Sequence, residues 1–198
     1  MDYAAAADYI GFVVEVAGSR RSVAVEEAVP LFRHASEFAK TVAVVKNAES
    51  TFINSIAQLL RPDFIQLHTR ATPEQLAALS DISGTGLIAL VMPGNDDVQS
   101  ARQISRVCDM VVADTAVSGE SGGTGKVHDW SITRRIRDAI YPRPLMLSGG
   151  LNEENVDDAI RTVVPAAVDV SSGVEENGMK SLRKVDRFIR KVRGIGYA

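Results

Sequence analysis

Short, unbroken apolar runs recur along the whole chain, and that rhythm constrains the fold more than any other feature. They are Ile10–Val14, Thr41–Val45, Phe64–Leu67, Leu87–Val91, Met110–Ala113, Pro144–Leu147 and Ala167–Val170. Each is about four or five residues long and bounded by polar or glycine-containing turns, as strands are. A strand with one solvated face alternates apolar and polar residues. A continuous run means that both faces are covered, which is the situation of a parallel sheet.

Segments of helical spacing fill the gaps. Ser22–Ala39, Ser50–Leu60, Asp96–Arg106 and Asp129–Ile140 repeat apolar residues at three and four positions. Thr72-Pro73-Glu74-Gln75 offers an N-cap, a proline for the first helical position and a first-turn acid. Asn152-Glu153-Glu154-Asn155 places acids at the positive end of another helix. Ala4–Tyr9 reads as the tail of a helix. Successive strands lie roughly 25 residues apart, the size of one strand–helix unit, and no linker or composition shift divides residues 1–198 into more than one domain.

Strand, helix, strand, helix without interruption leaves an open doubly wound sheet or a closed (β/α)8 barrel. An eight-unit barrel needs about 200 to 250 residues. Seven runs preceded by a helix tail fit a compact α/β barrel of this type without its first strand and most of its first helix. The two strands flanking that position would then have unpaired apolar edges, which a second copy of the chain can cover; a homodimer is the expectation.

Composition excludes several classes. Twenty-two Lys and Arg against 25 Asp and Glu give a net charge of −3, no footprint for nucleic acid. The basic run from Lys180 to Arg193 reads as a solvated helix face. No apolar stretch approaches the roughly 20 residues that cross a bilayer, so no membrane partner is expected. The single cysteine, Cys108, precludes an internal disulfide and suits a reducing cytoplasm. It precedes a buried run and reads as a small core hydrophobe.

In either architecture, ligands bind beyond the carboxyl ends of the strands. Asp114 ends one run and leads into Gly119–Gly125, a glycine-rich loop without Walker A spacing; a turn-capping aspartate and a site aspartate are equally compatible with it. Leu147-Ser-Gly-Gly150 and Asp169-Val-Ser-Ser-Gly173 end the last two runs, and paired glycine-rich loops there make the phosphate site of a barrel. Gly18-Ser-Arg-Arg21 brings two guanidinium groups to the rim, where a surface role is the commoner case. His68 reads as a structural, hydrogen-bonding histidine rather than a metal ligand. Neither His34 nor His128 has partners suggesting a triad.

Taken in order, Ala7-Asp-Tyr-Ile-Gly-Phe-Val13, Ser19-Arg-Arg-Ser-Val23, Ile65-Gln-Leu-His68, Asp114-Thr with Gly122-Gly-Thr-Gly-Lys-Val-His-Asp-Trp130, Leu147-Ser-Gly-Gly-Leu151 with Asn155-Val156, and Asp169-Val-Ser-Ser-Gly-Val-Glu175 resemble the phosphoribosylanthranilate isomerase family of tryptophan biosynthesis. The resemblance implies an aldose–ketose isomerase of aromatic amino-acid biosynthesis without a cofactor or metal. Its reaction is an Amadori rearrangement of N-(5′-phosphoribosyl)anthranilate to 1-(o-carboxyphenylamino)-1-deoxyribulose 5-phosphate. It further implies Asp114 as the general acid, Arg21 on the anthranilate part although Arg20 stands where proline is usual, and Gly149, Gly150, Ser172 and Gly173 on the phosphate. The family's base is a cysteine in a Lys-x-Cys-Gly motif on the first strand, to which nothing in these 198 residues aligns. Impaired turnover of this form is therefore expected, with Glu15 a substitute base to test. The alternative is a non-catalytic phosphosugar-binding relative that kept the anion site. Thr69 and His128 stand where glycine and phenylalanine are usual.

Overall fold

The structure is a computed structural model and describes residues 6–79, 84–93, 98–115 and 128–195. The apolar runs become strands: β1 Tyr9–Val14, then, after the short β2 Ser22–Val23, β3 Lys40–Val45, β4 Phe64–Leu67, β5 Gly86–Val91, β6 Met110–Ala113, β7 Leu145–Leu147 and β8 Ala167–Val168. Hydrogen-bonded neighbours follow the order β2-β1-β3-β4-β5-β6-β7-β8. Pairing is parallel, with Val42 opposite Phe64, Phe64 opposite Gly86 and Met146 opposite Ala167. All residues of β6 and β7 are buried, as continuous apolar runs demand.

The helices are α1 Val25–Ala35, α2 Ser50–Leu60, α3 Pro73–Ala77, α4 Val98–Ser105, α5 Trp130–Ile140, α6 Val156–Val163 and α7 Leu182–Gly194. Helical periodicity decides which face each buries. In α6 the buried residues are Val156, Ala159, Ile160 and Val163; in α2 they are Ile53, Ile56 and Leu60. Full burial of such a side chain is worth about 1.5–3 kcal/mol. Thr72 closes a capping box with Gln75 at the start of α3, ahead of Pro73.

Two compact units make up the chain, one of residues 7–90 and 103–111 and the other of residues 1–6, 91–102 and 112–198. In the first, aspartates hold the strand starts. Asp63 Oδ2 accepts the Thr41 N–H at 2.7 Å, and Asp109 Oδ2 accepts the Leu87 N–H at 2.8 Å. In the second, the basic face of α7 is paired rather than merely solvated: Arg187 meets Glu153 at 3.6 Å and Lys191 meets Asp157 at 3.3 Å.

Several expectations change. The helix expected over Ser22–Ala39 starts at Val25, because Ser22 and Val23 pair with Val13 and Val14 as β2. The outer edge of β1 is thus partly occupied by the chain itself. The expected helical tail at Ala4–Tyr9 lies partly outside the described residues, and Tyr9 belongs to β1. Residues 152–155 form a turn, and α6 begins at Val156.

Candidate active site

Three strand ends in the second unit bring their polar residues together. The Ser148 N–H donates to Ala113 O at 2.8 Å, and the Asp169 N–H donates to Leu147 O at 2.8 Å. These bonds extend the ladder one residue past β6 and β7 and set Asp114, Ser148 and Asp169 side by side. Ser148 Oγ lies 3.1 Å from Asp114 Oδ2 and 3.0 Å from Asp169 Oδ2. Parallel strands put such residues at their carboxyl ends, where α/β folds bind ligands.

The glycine turn after β7 adjoins this group. Gly149 and Gly150 have φ of 87° and 68°, a region that residues with a Cβ rarely adopt. A Cβ on Gly149 would stand 2.6 Å from Thr115 N and 2.8 Å from Asp114 Oδ1. Glycine is therefore required twice over, for conformation and for close approach to the Asp114–Thr115 segment. Asn155 fixes the turn from the α6 side: its Nδ2 donates to Gly150 O at 3.0 Å, and its Oδ1 accepts the Asn152 N–H at 2.9 Å. Among the described residues, the amides of Gly149 and Gly150 donate to no backbone carbonyl, which leaves them suited to an anion.

The second glycine loop follows β8. Ser172–Val174 is a single 3₁₀ turn, and a Cβ on Gly173 would stand 2.9 Å from the Leu151 carbonyl carbon. A hairpin of β9 Glu175–Glu176 and β10 Met179–Lys180 braces it. Lys180 Nζ donates to Ser171 O at 2.7 Å and pairs with Glu175 Oε1 at 3.4 Å.

His128, at the entrance to α5, is tied into the same unit. Its Nδ1 lies 3.1 Å from Thr115 Oγ1 and its Nε2 lies 2.6 Å from Thr133 Oγ1. Burial holds the imidazole below its ordinary value, against the opposing charge of Asp129. Asp129 itself caps α5, accepting the Ser131 N–H at 2.9 Å, and hydrogen bonds from the Ser131 side chain and then its backbone keep the carboxyl below the usual range.

In the first unit, the Arg21 N–H donates to Ser19 Oγ at 3.3 Å, within a turn also held by the Val16 N–H on Ser22 Oγ at 2.8 Å. Arg21 is half-buried and Arg20 exposed. Glu15, weighed above as a substitute base, accepts the Val25 N–H on its Oε1 at 2.8 Å at the start of α1. His68 Nδ1 meets Gln66 Nε2 at 3.3 Å, in keeping with a structural histidine. Cys108 is buried. The Gly119–Gly125 loop lies outside the described residues. Among the described residues, no group of three or more His, Cys, Asp and Glu is placed to hold a metal ion, and no helix is long and apolar enough to cross a membrane.

Sequence reasoning names Asp114, Arg21 and the four phosphate-loop residues but not Ser148, Asp169, Asn155 and Lys180, whose hydrogen bonds tie these strand ends and loops together. All four lie in or beside the quoted motifs. Occupying the same strand-end position as Asp114 was the available signal for Ser148 and Asp169.

The sequence profile of the N-(5′-phosphoribosyl)anthranilate isomerase family matches residues 2–191. The isomerase of Methanothrix thermoacetophila is 43% identical over 189 residues, covering 96% of this chain and 89% of the relative. Among solved structures, a monomeric form of the dimeric Thermotoga maritima phosphoribosylanthranilate isomerase superposes with a TM-score of 0.76. It has 30% identity, with 98% of this chain and 93% of that one covered. A phosphoribosylanthranilate isomerase in complex with reduced 1-(o-carboxyphenylamino)-1-deoxyribulose 5-phosphate gives a TM-score of 0.77 and 29% identity, with coverage of 98% and 93%. The fold is the (β/α)8-type barrel of those structures, and the chain belongs to the N-(5′-phosphoribosyl)anthranilate isomerase family.

Proposed function

We propose that the protein is a phosphoribosylanthranilate isomerase of tryptophan biosynthesis, with Asp114 as general acid. The observation that carries the reading is the close approach of Gly149 to Asp114 and Thr115, so close that an added Cβ would stand 2.8 Å from Asp114 Oδ1. It sets an anion-binding turn directly against a carboxyl group, the pairing that acid catalysis on a phosphorylated sugar needs. The phosphate would be taken by the amides of Gly149, Gly150, Ser172 and Gly173, and Arg21 would grip the carboxylate of the anthranilate part.

In this role Asp114 gives its proton to the furanose ring oxygen as the C1′–O bond breaks, and the nitrogen lone pair forms the Schiff base. A base then removes the C2′ proton, and the enolamine relaxes to the ketone. Cys108 is a poor candidate for that base, because it is buried ahead of β6 rather than placed at a strand's carboxyl end. We further read residues 1–198 as one domain, since each compact unit is assembled from separate stretches of chain. A homodimer and a cytoplasmic location complete the reading, supported by the dimeric relative and the lone cysteine.

Steady-state conversion of N-(5′-phosphoribosyl)anthranilate tests it. Asp114→Asn is expected to lower kcat by about 10²–10⁴-fold while leaving affinity for the reduced product analogue nearly unchanged. Equal turnover by the variant removes Asp114 from the chemistry. Analogue binding without turnover by the wild-type chain points instead to a phosphosugar-binding protein.

A further inference from the structure

One hydroxyl hydrogen faces two carboxyl groups in this site. Ser148 Oγ is 3.1 Å from Asp114 Oδ2 and 3.0 Å from Asp169 Oδ2. A serine hydroxyl has a single donor hydrogen and two acceptor lone pairs. With both carboxyls ionised, that hydrogen can point at only one of them, and a Ser148 lone pair faces the other. With one carboxyl protonated, both contacts become hydrogen bonds: the acid donates to Ser148, and Ser148 donates to the remaining carboxylate. Like charges sharing a site favour this half-protonated state. Backbone bonds from Ser148 to Ala113 and from Asp169 to Leu147 fix the arrangement at adjacent strand ends.

We propose that Asp169 is a positioning residue that acts through Ser148 to keep a proton on Asp114 at neutral pH. The inference rests on the isomerase reading for its catalytic meaning, but not for the shared proton itself. When Asp114 protonates the ring oxygen, two carboxylates are left on one hydroxyl. That repulsion favours uptake of a proton from solvent by Asp114, which resets the acid for the next turnover.

The other titratable groups described around the pair are few. His128 reaches Thr115 from the start of α5 and is held toward its neutral form by burial. Lys180 bonds to Ser171 from the hairpin and pairs with Glu175. Asp169 is joined to Asp114 through the Ser148 hydroxyl.

Carboxyl ¹³C NMR titrations of the whole chain, alongside the pH profile of kcat/KM, test the proposal. In the wild type, the Asp114 carboxyl should still carry its proton at neutral pH. Asp169→Asn should lower the Asp114 titration by about one pH unit or more and move the alkaline limb of kcat/KM with it. Asp186→Asn, which removes an exposed charge on α7, should move neither. Ser148→Ala keeps both carboxyls, removes the hydroxyl that accepts the Asp114 proton, and should lower the Asp114 titration, a second route should Asp169→Asn fold poorly. An Asp114 titration unmoved by Asp169→Asn, or a proton resident on Asp169, overturns the proposal. Absence of turnover with the NMR shifts as expected removes the isomerase reading and leaves the shared proton standing.

Discussion

His128 Nε2 stands 2.6 Å from the Oγ1 of Thr133, a residue with no exposed surface, while the opposite ring nitrogen reaches Thr115. One imidazole therefore ties the end of β6, which carries the proposed acid, to the first turn of α5. A buried hydroxyl left without its partner costs about 1–3 kcal/mol. His128→Phe keeps much of the ring volume and removes both bonds, so urea denaturation is expected to show a loss of that order. An unchanged midpoint would contradict the tie.

The same residue sets a pH dependence. Burial lowers its folded-state proton affinity below the ordinary 6.5, so the unfolded chain takes up a proton first. Its contribution to stability is fully present above 6.5 and declines as pH falls below it. Calorimetry should show Tm falling as pH drops below about 6.5, and His128→Phe should flatten that fall. Asp129 and Glu74, lowered by hydrogen bonds from Ser131 and Thr72, act in a more acidic window, below the carboxylate values of 3.8 and 4.5.

Gly149→Ala places a methyl group against Thr115 and Asp114 at a φ that L-residues pay about 1–2 kcal/mol to adopt. Affinity for inorganic phosphate is expected to fall roughly tenfold or more, measured by isothermal titration. Wild-type affinity in this variant would place the phosphate elsewhere.

Val164 ends α6 in the left-handed region at φ 50°, although its side chain is β-branched and 42% exposed. Little burial offsets that strain. Val164→Gly is expected to raise stability by about 1 kcal/mol, visible as a higher denaturation midpoint with ligand affinity unchanged.

Periodicity located the strands because burial of both faces leaves a continuous apolar run. Each of the seven runs corresponds to a strand, from Ile10–Val14 in β1 to Ala167–Val170 at β8. It did not reveal β2, whose two residues carry no pattern. That strand depends on the Glu15 N–H reaching Val23 O and on the Val16 N–H reaching Ser22 Oγ. The site divides the same way. Glycines at 149, 150 and 173 announce themselves by composition, whereas the Ser148 bridge depends on the register of three strands whose residues are 34 and 21 positions apart. His128 stood out as a departure from the family pattern, but its two threonine partners emerge only once the end of β6 meets α5.

Whether the strand-end residues form a ligand site is tested most directly by titrating the protein with reduced 1-(o-carboxyphenylamino)-1-deoxyribulose 5-phosphate while following backbone amide NMR shifts. Saturable one-to-one binding, with the largest shifts at Gly149, Gly150, Ser172 and Gly173, is the predicted result. No binding, or shifts that leave those four amides unmoved, would contradict the account.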